Sequence, residues 1–460
     1  MVSGDLVARL KSLVPAAAVV DGADLTGRST NWLVHQPIAA PLLLRPANTA
    51  EVSRILAECH AAKQPVVVHG GLTGLVRGAD TTDTDVVISL ERMRDIESID
   101  ATQRVAIVQA GVTLQQVQEA ADAQGLSFPL DLGARGTATL GGNASTNAGG
   151  NRVLRFGMTR DMVLGLEAVL ADGTVVSSMN RLIKNNTGYD LKQLFIGSEG
   201  TLGVITRMVL RLREKPARQD VAFAAVDDFD SLTRLLKHMD RALGGSLSAF
   251  EVMWPPFYRL VTTPPAKGRP PVPHGHAFYV LIEAMGGDSA ADAQRFDAAL
   301  EVALEQGLIA DAAIAQSQAE AAAIWALRDD VLQTRQFGEV WGFDVSLPIA
   351  QIPAYLDSVE TGFHGRWPDG RYWVFGHMGD GNLHLVFSWG GLPDDAYEAV
   401  QHIVYDPLQA AGGSVSAEHG IGLEKRRWLA LSRNAGEIAL MRTLKATLDP
   451  RGILNPGRIF

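Results

Sequence analysis

Apolar and polar residues follow two different periods along this chain, and these periods divide it into helices and strands. Amphipathic helices are predicted where apolar residues recur every three or four positions, at 51–62, 114–123, 229–243, 289–306, 319–333 and 438–448. Strands are predicted where short apolar runs lie between turn residues, at 64–69, 86–90, 105–108, 163–170, 174–177, 202–212, 221–226 and 278–283. A polar, proline-bearing joint over 214–218 separates a glycine-rich first half from a second half in which strands and helices alternate. That alternation predicts a sheet with helices packed on it.

Chain length and composition narrow the class of protein. A chain of 460 residues should form more than one domain, because single hydrophobic cores stop growing at roughly 250–300 residues. The net charge of −10 argues against nonspecific nucleic-acid binding. Cys59 is the only cysteine, which excludes a disulfide framework within the chain and a thiolate metal cluster. No apolar run reaches membrane-spanning length and residues 1–18 lack the features of a secretory signal, so we expect a cytoplasmic protein.

Glycine is concentrated in three segments of the first half, at 65–75, 132–150 and 195–203. Each glycine loses extra conformational entropy on folding, so this density implies close backbone approach or positive φ. Exposed N–H groups in such loops form concavities that suit a pyrophosphate. The segments match neither the Rossmann fingerprint nor the P-loop. A set of glycine-rich turns without a ligand is the alternative.

Two histidines in the second half have the spacing of a metal site. A two-residue turn at Asp380 and Gly381 would close a hairpin in which His377 faces His384. Directly opposed side chains have Cβ atoms roughly 4.5–5.5 Å apart. Two imidazoles at that separation can share a divalent ion, and Glu418 could supply an oxygen. The alternative is a tight hairpin whose histidines only form hydrogen bonds.

Taken together, these segments resemble the FAD-dependent D-2-hydroxyacid dehydrogenase branch of the vanillyl-alcohol oxidase flavoprotein family. The resemblance covers about residue 38 to the C-terminus, and its most specific segments are 128–150, 186–191, 196–202, 377–384, 417–422 and 454–457. It implies an α+β fold, with a two-subdomain FAD-binding domain and an α+β substrate cap domain. The implied organisation is an N-terminal helix and lead-in at 1–37, the FAD-binding domain at 38–215, the cap domain with the metal site at 216–425, and a C-terminal helix and tail at 426–460.

The resemblance also implies which residues contact FAD. The expected cofactor-binding residues are Gly70, Gly71, Thr73 and Gly74 at the pyrophosphate, then Gly133, Gly141, Gly142, Thr146, Asn147, Gly149, Gly150, Gly200, Ile205 and Asn455. His69 raises the idea of a covalent flavin link. Family members with a histidyl bond usually carry that histidine where Leu72 or Thr73 stands here, so we predict noncovalent FAD.

By the same resemblance, His377, His384 and Glu418 bind a divalent metal, most simply zinc, and His419 lies at the flavin. An imidazole titrates near working pH, which makes His419 the candidate general base. Its alternative role is to orient Glu418. The metal would lower the pKa of the substrate hydroxyl.

Arg328 matches the arginine with which the family binds the substrate carboxylate, and a guanidinium offers a bidentate fork. A surface salt bridge with Asp329 or Asp330 is its alternative role. Asn382 would hydrogen-bond the substrate or satisfy the turn.

The chain departs from the family pattern at two positions that determine which substrate size is accepted. D-2-hydroxyglutarate dehydrogenases hold a second carboxylate with a threonine and a lysine, at positions where this chain has Leu332 and Gly342. Burying an unpartnered carboxylate is strongly unfavourable. With Trp341 and Phe343 expected to flank the site, we predict a monocarboxylate with an apolar side chain: D-lactate, a branched D-2-hydroxy acid or D-mandelate.

D-2-hydroxyglutarate is the alternative substrate. A metal-dependent hydrolase or a noncatalytic flavin-binding protein are alternatives of other classes. An electron-transfer flavoprotein, a quinone or oxygen would each serve as electron acceptor, and a homodimer is compatible with the sequence.

Overall fold

The computed structural model describes residues 2–25, 27–31, 35–388, 393 and 395–460, so part of the predicted lead-in over 1–37 lies outside the described residues. The strands are β1 (Val19–Asp21), β2 (Leu42–Leu44), β3 (Val66–His69), β4 (Val86–Ser89), β5 (Ile96–Asp100), β6 (Val105–Gln109), β7 (Leu126–Ser127), β8 (Val163–Val169), β9 (Val175–Ser178), β10 (Val204–Arg211), β11 (Arg213–Glu214), β12 (Arg218–Val226), β13 (Leu247–Met253), β14 (Phe278–Gly286), β15 (Asp311–Ile314), β16 (Val340–Ser346), β17 (Tyr372–His377) and β18 (Asn382–Ser388).

The α-helices also follow in chain order. They are α1 (Gly4–Ser12), α2 (Thr49–Ala62), α3 (Leu114–Asp122), α4 (Leu140–Thr146), α5 (Val153–Phe156), α6 (Thr159–Met162), α7 (Lys192–Phe195), α8 (Phe229–Leu243), α9 (Pro255–Thr262), α10 (Ser289–Glu305), α11 (Gln318–Asp329), α12 (Ile352–Arg366), α13 (Ala396–Ala411), α14 (Leu429–Ser432) and α15 (Ala435–Leu448). None of the helices among the described residues combines the length and apolarity that a membrane crossing needs.

The chain folds into two compact units. Unit 1 comprises Met1–Gly150, Gly157–Lys215 and Glu418–Phe460, and unit 2 comprises Asn151–Phe156 and Pro216–Ala417. The break after Lys215 lies in the polar joint read from the sequence. The predicted boundaries at 37/38 and 425/426 stay predictions.

Two short segments are separated along the chain from the main part of the unit that they belong to. Residues 151–156 join unit 2 because Arg152 donates to Glu283 on β14, with 2.9 Å between Nε and Oε1. Residues 418–425 join unit 1, where the backbone N–H groups of Ile421 and Gly422 donate to the Glu199 carboxylate at 2.7 and 2.8 Å.

Unit 1 contains two main sheets, in agreement with the predicted pair of α+β subdomains. The first has the order β1-β2-β4-β3, with β2 and β3 both parallel to β4. The second is antiparallel, with the order β5-β6-β10-β8-β9. Strand β3 begins with three valines, of which Val66 and Val67 are fully buried, and it leads directly into the first glycine-rich loop.

Unit 2 is built on a seven-stranded sheet of order β15-β12-β14-β13-β17-β18-β16. The predicted sheet with packed helices is confirmed, and its pairings are antiparallel throughout the described strands. One face carries an aromatic core in which Tyr258 stacks on Tyr279 with 3.8 Å between ring centroids and on Phe223 with 5.3 Å. This packing fixes the central strands that carry the candidate site residues.

The helix predicted over 319–333 ends earlier than expected. Helix α11 stops at Asp329, and the chain continues as a tighter 3₁₀ helix over Val331–Phe337. The Asp330 carboxylate accepts a hydrogen bond from Gln333 Nε2 at 2.9 Å. Such local side-chain bonds compete with regular α-helix, which explains the change of geometry.

Candidate active site

The hairpin of unit 2 brings His377 and His384 together, but not in the predicted register. Strands β17 and β18 pair with Phe375 opposite His384, so the predicted pairing of the two histidines is wrong by two residues. The reason is the connection: a 3₁₀ turn at Met378–Asp380 and Gly381 at φ +77° replace the two-residue turn. Residues two apart on a strand share a face, so the imidazoles still meet. The two Nε2 atoms lie 3.3 Å apart.

A buried carboxylate, Glu251 on β13, joins His377 to Arg328. Glu251 Oε1 lies 2.6 Å from His377 Nδ1, and Glu251 Oε2 accepts from Arg328 Nε at 2.8 Å. Arg328 Nη2 lies 3.1 Å from His377 Nε2. Burial raises the pKa of Glu251, but His377 and Arg328 lower it further, to about 2, so the carboxylate is ionised. Arg328 is only 8% exposed, so it is an interior group, and its Nη1 also lies 3.9 Å from Oδ1 of Asp329, the partner considered for its alternative role.

Strand β16 supplies a second buried carboxylate beside the histidines. Asp344 is fully buried, its Oδ2 accepts from the backbone N–H of Ala417 at 3.0 Å, and its Oδ1 lies 3.9 Å from His384 Nδ1. Because Asp344 pairs directly with His384 across β16 and β18, the two side chains lie on the same sheet face. Asp344 thus adds negative charge close to the imidazole of His384.

The expectation that Trp341 and Phe343 flank the site is wrong. Side chains alternate between the two faces of a strand, so Gly342 shares the face of Asp344 whereas Trp341 and Phe343 face the opposite way. On that opposite face Trp341 packs on Tyr397, with 5.2 Å between ring centroids. A Cβ at Gly342 would have no heavy atom within 4 Å, so the strand leaves open space at this position.

Phe375 is the aromatic residue beside the histidines. Its ring centroid lies 5.1 Å from that of His384, and the Arg328 guanidinium carbon lies 5.1 Å from the Phe375 centroid. Leu332, which with Gly342 is expected to determine the accepted substrate size, is 58% exposed.

Asn382 begins β18 with its side-chain carbonyl oxygen directed into the protein. That oxygen is buried and has no hydrogen-bond partner among the described residues, whereas the backbone N–H of Asn382 donates to Asp380 Oδ1 at 3.2 Å. The turn is therefore satisfied through the backbone and does not use the Asn382 carbonyl oxygen.

Glu418 and His419 belong to unit 1. There Glu418 Oε1 accepts from the backbone N–H of Gly150 at 2.6 Å, and both residues are half-buried. The segment is held from its C-terminal side by Glu199, the acceptor for the N–H groups of residues 421 and 422. Burial raises the pKa of Glu199.

The predicted FAD-contacting residues all belong to unit 1. In chain order they lie after β3 (Gly70, Gly71, Thr73, Gly74), before α4 (Gly133), on α4 (Gly141, Gly142, Thr146), after α4 (Asn147, Gly149, Gly150), between α7 and β10 (Gly200), on β10 (Ile205) and in the C-terminal tail (Asn455). Asn455 links the tail to two other segments, since its Oδ1 accepts from Val68 N at 2.9 Å and its Nδ2 donates to the Glu199 carbonyl oxygen at 2.7 Å.

These glycines serve two different purposes. A Cβ on Gly71 would collide with the carbonyl oxygen of Thr137, and one on Gly150, which lies at φ +98°, would collide with that of Asp131. Such positions allow backbone to pack on backbone. A Cβ on Gly74 or Gly133 would meet no heavy atom within 4 Å, so the backbone there is accessible to a ligand. Accessible loops without side chains fit the phosphates of FAD.

Sequence reasoning missed Glu251, Asp344 and Glu199. Glu251 is signalled only as a charge that interrupts the apolar run of β13, and Asp344 only as a charge inside β16. Glu199 stands among glycines without a pattern of its own. In each case the function of the carboxylate depends on partners that are distant in sequence.

Comparisons with known proteins identify the family of the chain. It matches the FAD binding domain family over residues 40–178 and the C-terminal domain family of FAD linked oxidases over residues 215–459. The mitochondrial D-2-hydroxyglutarate dehydrogenase of Arabidopsis thaliana is 39% identical over 96% of this chain and 79% of that protein. The D-2-hydroxyglutarate dehydrogenase of Xanthomonas citri pv. viticola is 38% identical over 98% of this chain and 96% of that protein.

Solved structures support the same fold. An alkyldihydroxyacetonephosphate synthase matches 99% of this chain and 85% of its own, with a TM-score of 0.77 and 19% identity. p-Cresol methylhydroxylase matches 99% of this chain and 96% of its own, with a TM-score of 0.78 and 15% identity. The protein is therefore a member of the FAD-linked oxidase family, and within it of the FAD-dependent D-2-hydroxyacid dehydrogenase branch of oxidoreductases that its sequence resembles.

Proposed function

We propose that the protein oxidises a D-2-hydroxy monocarboxylate with an apolar side chain to the 2-oxo acid. The main support is a buried hydrogen-bond network in unit 2, in which Glu251 joins Arg328 to the pair of His377 and His384. Arginine is a residue that commonly binds carboxylates. Bound FAD would supply the acceptor for the hydride that leaves C2. The relatives named above are D-2-hydroxyglutarate dehydrogenases, which supports a 2-hydroxy acid as the substrate class.

His377 and His384 are proposed as two ligands of a divalent ion, with zinc the first choice. Two imidazole nitrogens bound to one tetrahedral zinc at about 2.0–2.1 Å lie about 3.3 Å apart. The two Nε2 atoms have this separation. Glu418 is proposed as the third ligand because the sequence motif of the family indicates it. The ion, when bound, would lower the pKa of the substrate hydroxyl.

The remaining roles belong to Arg328, His419 and Asn382. The Arg328 guanidinium has five N–H donors, which suits a bidentate contact with the substrate carboxylate. His419 is proposed to accept the hydroxyl proton, because an imidazole can take up a proton near neutral pH. The buried side-chain oxygen of Asn382 is a candidate acceptor for a substrate O–H group.

The proposed preference for monocarboxylates rests on Leu332 and Gly342. Neither position offers a cation, and Gly342 shares the sheet face of Asp344, whose negative charge would repel a second carboxylate. D-2-hydroxyglutarate is the second candidate, because it is the substrate in the names of the curated relatives. The predicted acceptor of the flavin's electrons stays an electron-transfer flavoprotein or a quinone. A homodimer also stays a prediction.

The double variant Leu332→Thr with Gly342→Lys tests this proposal. We expect wild-type kcat/KM to be highest for D-lactate, a branched D-2-hydroxy acid or D-mandelate. We expect the double variant to gain at least about tenfold in kcat/KM for D-2-hydroxyglutarate alone, since a hydrogen bond to a charged group contributes about 1.5–3 kcal/mol. Turnover with an artificial dye as electron acceptor measures both quantities.

A matched double variant in unit 1 controls for the same changes elsewhere. Leu440 is 61% exposed and a Cβ at Gly4 would meet no heavy atom, so Leu440→Thr with Gly4→Lys should leave the substrate profile unchanged. Efficient wild-type oxidation of D-2-hydroxyglutarate would refute the monocarboxylate proposal in favour of the second candidate.

A further inference from the structure

Glu251 is a fully enclosed acid in the middle of an apolar strand. It is 1% exposed, and its neighbours Phe250 and Val252 on β13 are buried as well. It pairs directly with His377 across β13 and β17, so the two side chains lie side by side on one sheet face. Burying a carboxylate is costly unless it is fully hydrogen-bonded, which indicates that this one has a specific role.

We infer that Glu251 is a positioning residue whose single carboxylate selects the tautomer of His377 and at the same time orients Arg328. The inference deepens the proposed function and, in its consequences for metal and substrate, rests on it. The proposed metal ligand and the proposed carboxylate anchor would then be held by one group.

Two hydrogen bonds agree on the tautomer of His377. An arginine has donors only, so His377 Nε2, 3.1 Å from Arg328 Nη2, must act as the acceptor. An ionised carboxylate has acceptors only, so His377 Nδ1, 2.6 Å from Glu251 Oε1, must carry the proton. The lone pair that a metal ion needs is therefore on His377 Nε2, the ring nitrogen that lies 3.3 Å from His384 Nε2.

The second oxygen of Glu251 acts on Arg328. Oε2 accepts from Arg328 Nε at 2.8 Å, and the guanidinium lies over the ring of Phe375. A guanidinium is planar, so a bond at Nε also sets the direction of its two terminal nitrogens. One turn earlier on α11, Trp325 Nε1 donates to Glu283 Oε2 at 3.0 Å. Glu283 is thus a second buried carboxylate that holds helix α11.

Glutamine is the informative replacement at position 251. It has nearly the shape of glutamate but only one acceptor atom, while two donors face the site. If its amide NH₂ faces His377, that histidine must carry its proton on Nε2 and loses the lone pair. If the NH₂ faces Arg328 instead, the bond to Nε is lost. Glu283→Gln changes another buried carboxylate of the same sheet and is the matched control.

The first measurement needs no metal. Full-length FAD-bound protein with ¹⁵N-labelled histidine is dialysed against chelator, and the ¹⁵N shifts of His377, assigned with His377→Gln, report its tautomer. We expect the Nδ1–H form in the wild type and in Glu283→Gln. We expect the Nε2–H form, or a mixture, in Glu251→Gln. An Nε2–H tautomer in the wild type would overturn the inference.

The second measurement is the zinc dissociation constant, obtained by competition with a chromophoric chelator. Glu251→Gln should weaken zinc binding roughly 10- to 100-fold, the range for lost partners of metal-binding histidines, whereas Glu283→Gln should bind as the wild type does. Unchanged affinity in a folded Glu251→Gln variant overturns the inference. If Glu251→Gln does not fold, Glu251→Asp, which keeps both acceptors on a shorter side chain, should show intermediate affinity, and wild-type affinity would count against the inference.

The two measurements separate this inference from the proposed function. A wild-type protein that binds no zinc but holds His377 as the Nδ1–H tautomer refutes the proposed metal site and supports the positioning role of Glu251. Tight zinc binding by both the wild type and Glu251→Gln supports the metal site and refutes the positioning role.

Discussion

Two histidines of this protein are equally enclosed but have opposite electrostatic surroundings. His377 lies against the ionised carboxylate of Glu251, whereas His69 at the end of β3 has Nε2 2.8 Å from a backbone oxygen, Ala79 O. Burial lowers the pKa of His69 to about 4, and it outweighs the opposing effects of the Ala79 carbonyl oxygen and of Glu91. His69 is therefore neutral in the folded protein at neutral pH.

The low pKa of His69 predicts a loss of stability in mild acid. The unfolded chain takes up the proton on His69 below about pH 6.5, whereas the folded protein takes it up only near pH 4. The stability that neutral His69 contributes is therefore complete above about pH 6.5 and is lost as the pH falls toward 4. The difference amounts to about 3 kcal/mol. Urea unfolding followed by circular dichroism should lose less stability over this interval in His69→Gln than in the wild type.

His402 provides the control for that experiment. Its side chain is 53% exposed, so His402→Gln should retain the wild-type dependence on pH. Parallel pH profiles for His69→Gln and the wild type would show that His69 does not titrate in this way.

At the scale of elements, the loop that follows β3 contains crowded and open backbone within four residues. Gly71 faces the carbonyl oxygen of Thr137 at a distance that excludes a Cβ, whereas Gly74 faces open space. The first glycine serves packing within unit 1. The second leaves accessible backbone in the loop, as the proposed pyrophosphate contact requires.

This contrast predicts different results for two alanine substitutions. Gly71→Ala should destabilise the protein by about 1–3 kcal/mol or more, as overpacking against backbone does, and should lower the FAD content. Gly74→Ala should retain the melting temperature of the wild type. Thermal unfolding and the ratio of flavin to protein absorbance measure both effects. Equal melting temperatures for the two variants would contradict this assignment of the glycines.

At the scale of the whole molecule, the path of the chain distributes the candidate site residues over both units. The chain leaves unit 1 after Lys215 and returns to it at Glu418. The predicted FAD contacts and the pair Glu418 and His419 are thus carried by unit 1, while His377, His384, Glu251 and Arg328 are carried by unit 2. The family match over 215–459 spans this return.

We predict that the protein holds FAD without a covalent bond. Leu72 and Thr73 have no nucleophilic ring nitrogen, and His69 is 1% exposed with Nε2 already bonded to Ala79 O. Precipitation of the purified protein with acid should leave the flavin in the supernatant, where its absorbance is measured. A yellow pellet after washing, compared with a covalent flavoprotein treated in parallel, would contradict the prediction.

Local patterns were sufficient for part of the secondary structure and for the family of this protein, whereas helices such as α12 and α13 were not predicted. The period of apolar residues predicted α8 to the residue and β12 and β14 closely, because helix and strand preferences depend on neighbours within one turn or one pleat. The ordered motifs identified the flavoprotein branch, and the comparisons confirm it.

Tertiary structure decided how those elements meet. It set the register of β17 and β18, the face on which Gly342 lies, and which glycines are crowded. It also placed Glu251 beside His377, a contact between residues 126 positions apart. Sequence alone identified the proposed metal-binding histidines, whereas only the folded sheet decides their protonation, because a tautomer depends on the atom that faces the ring and not on the residues that flank it.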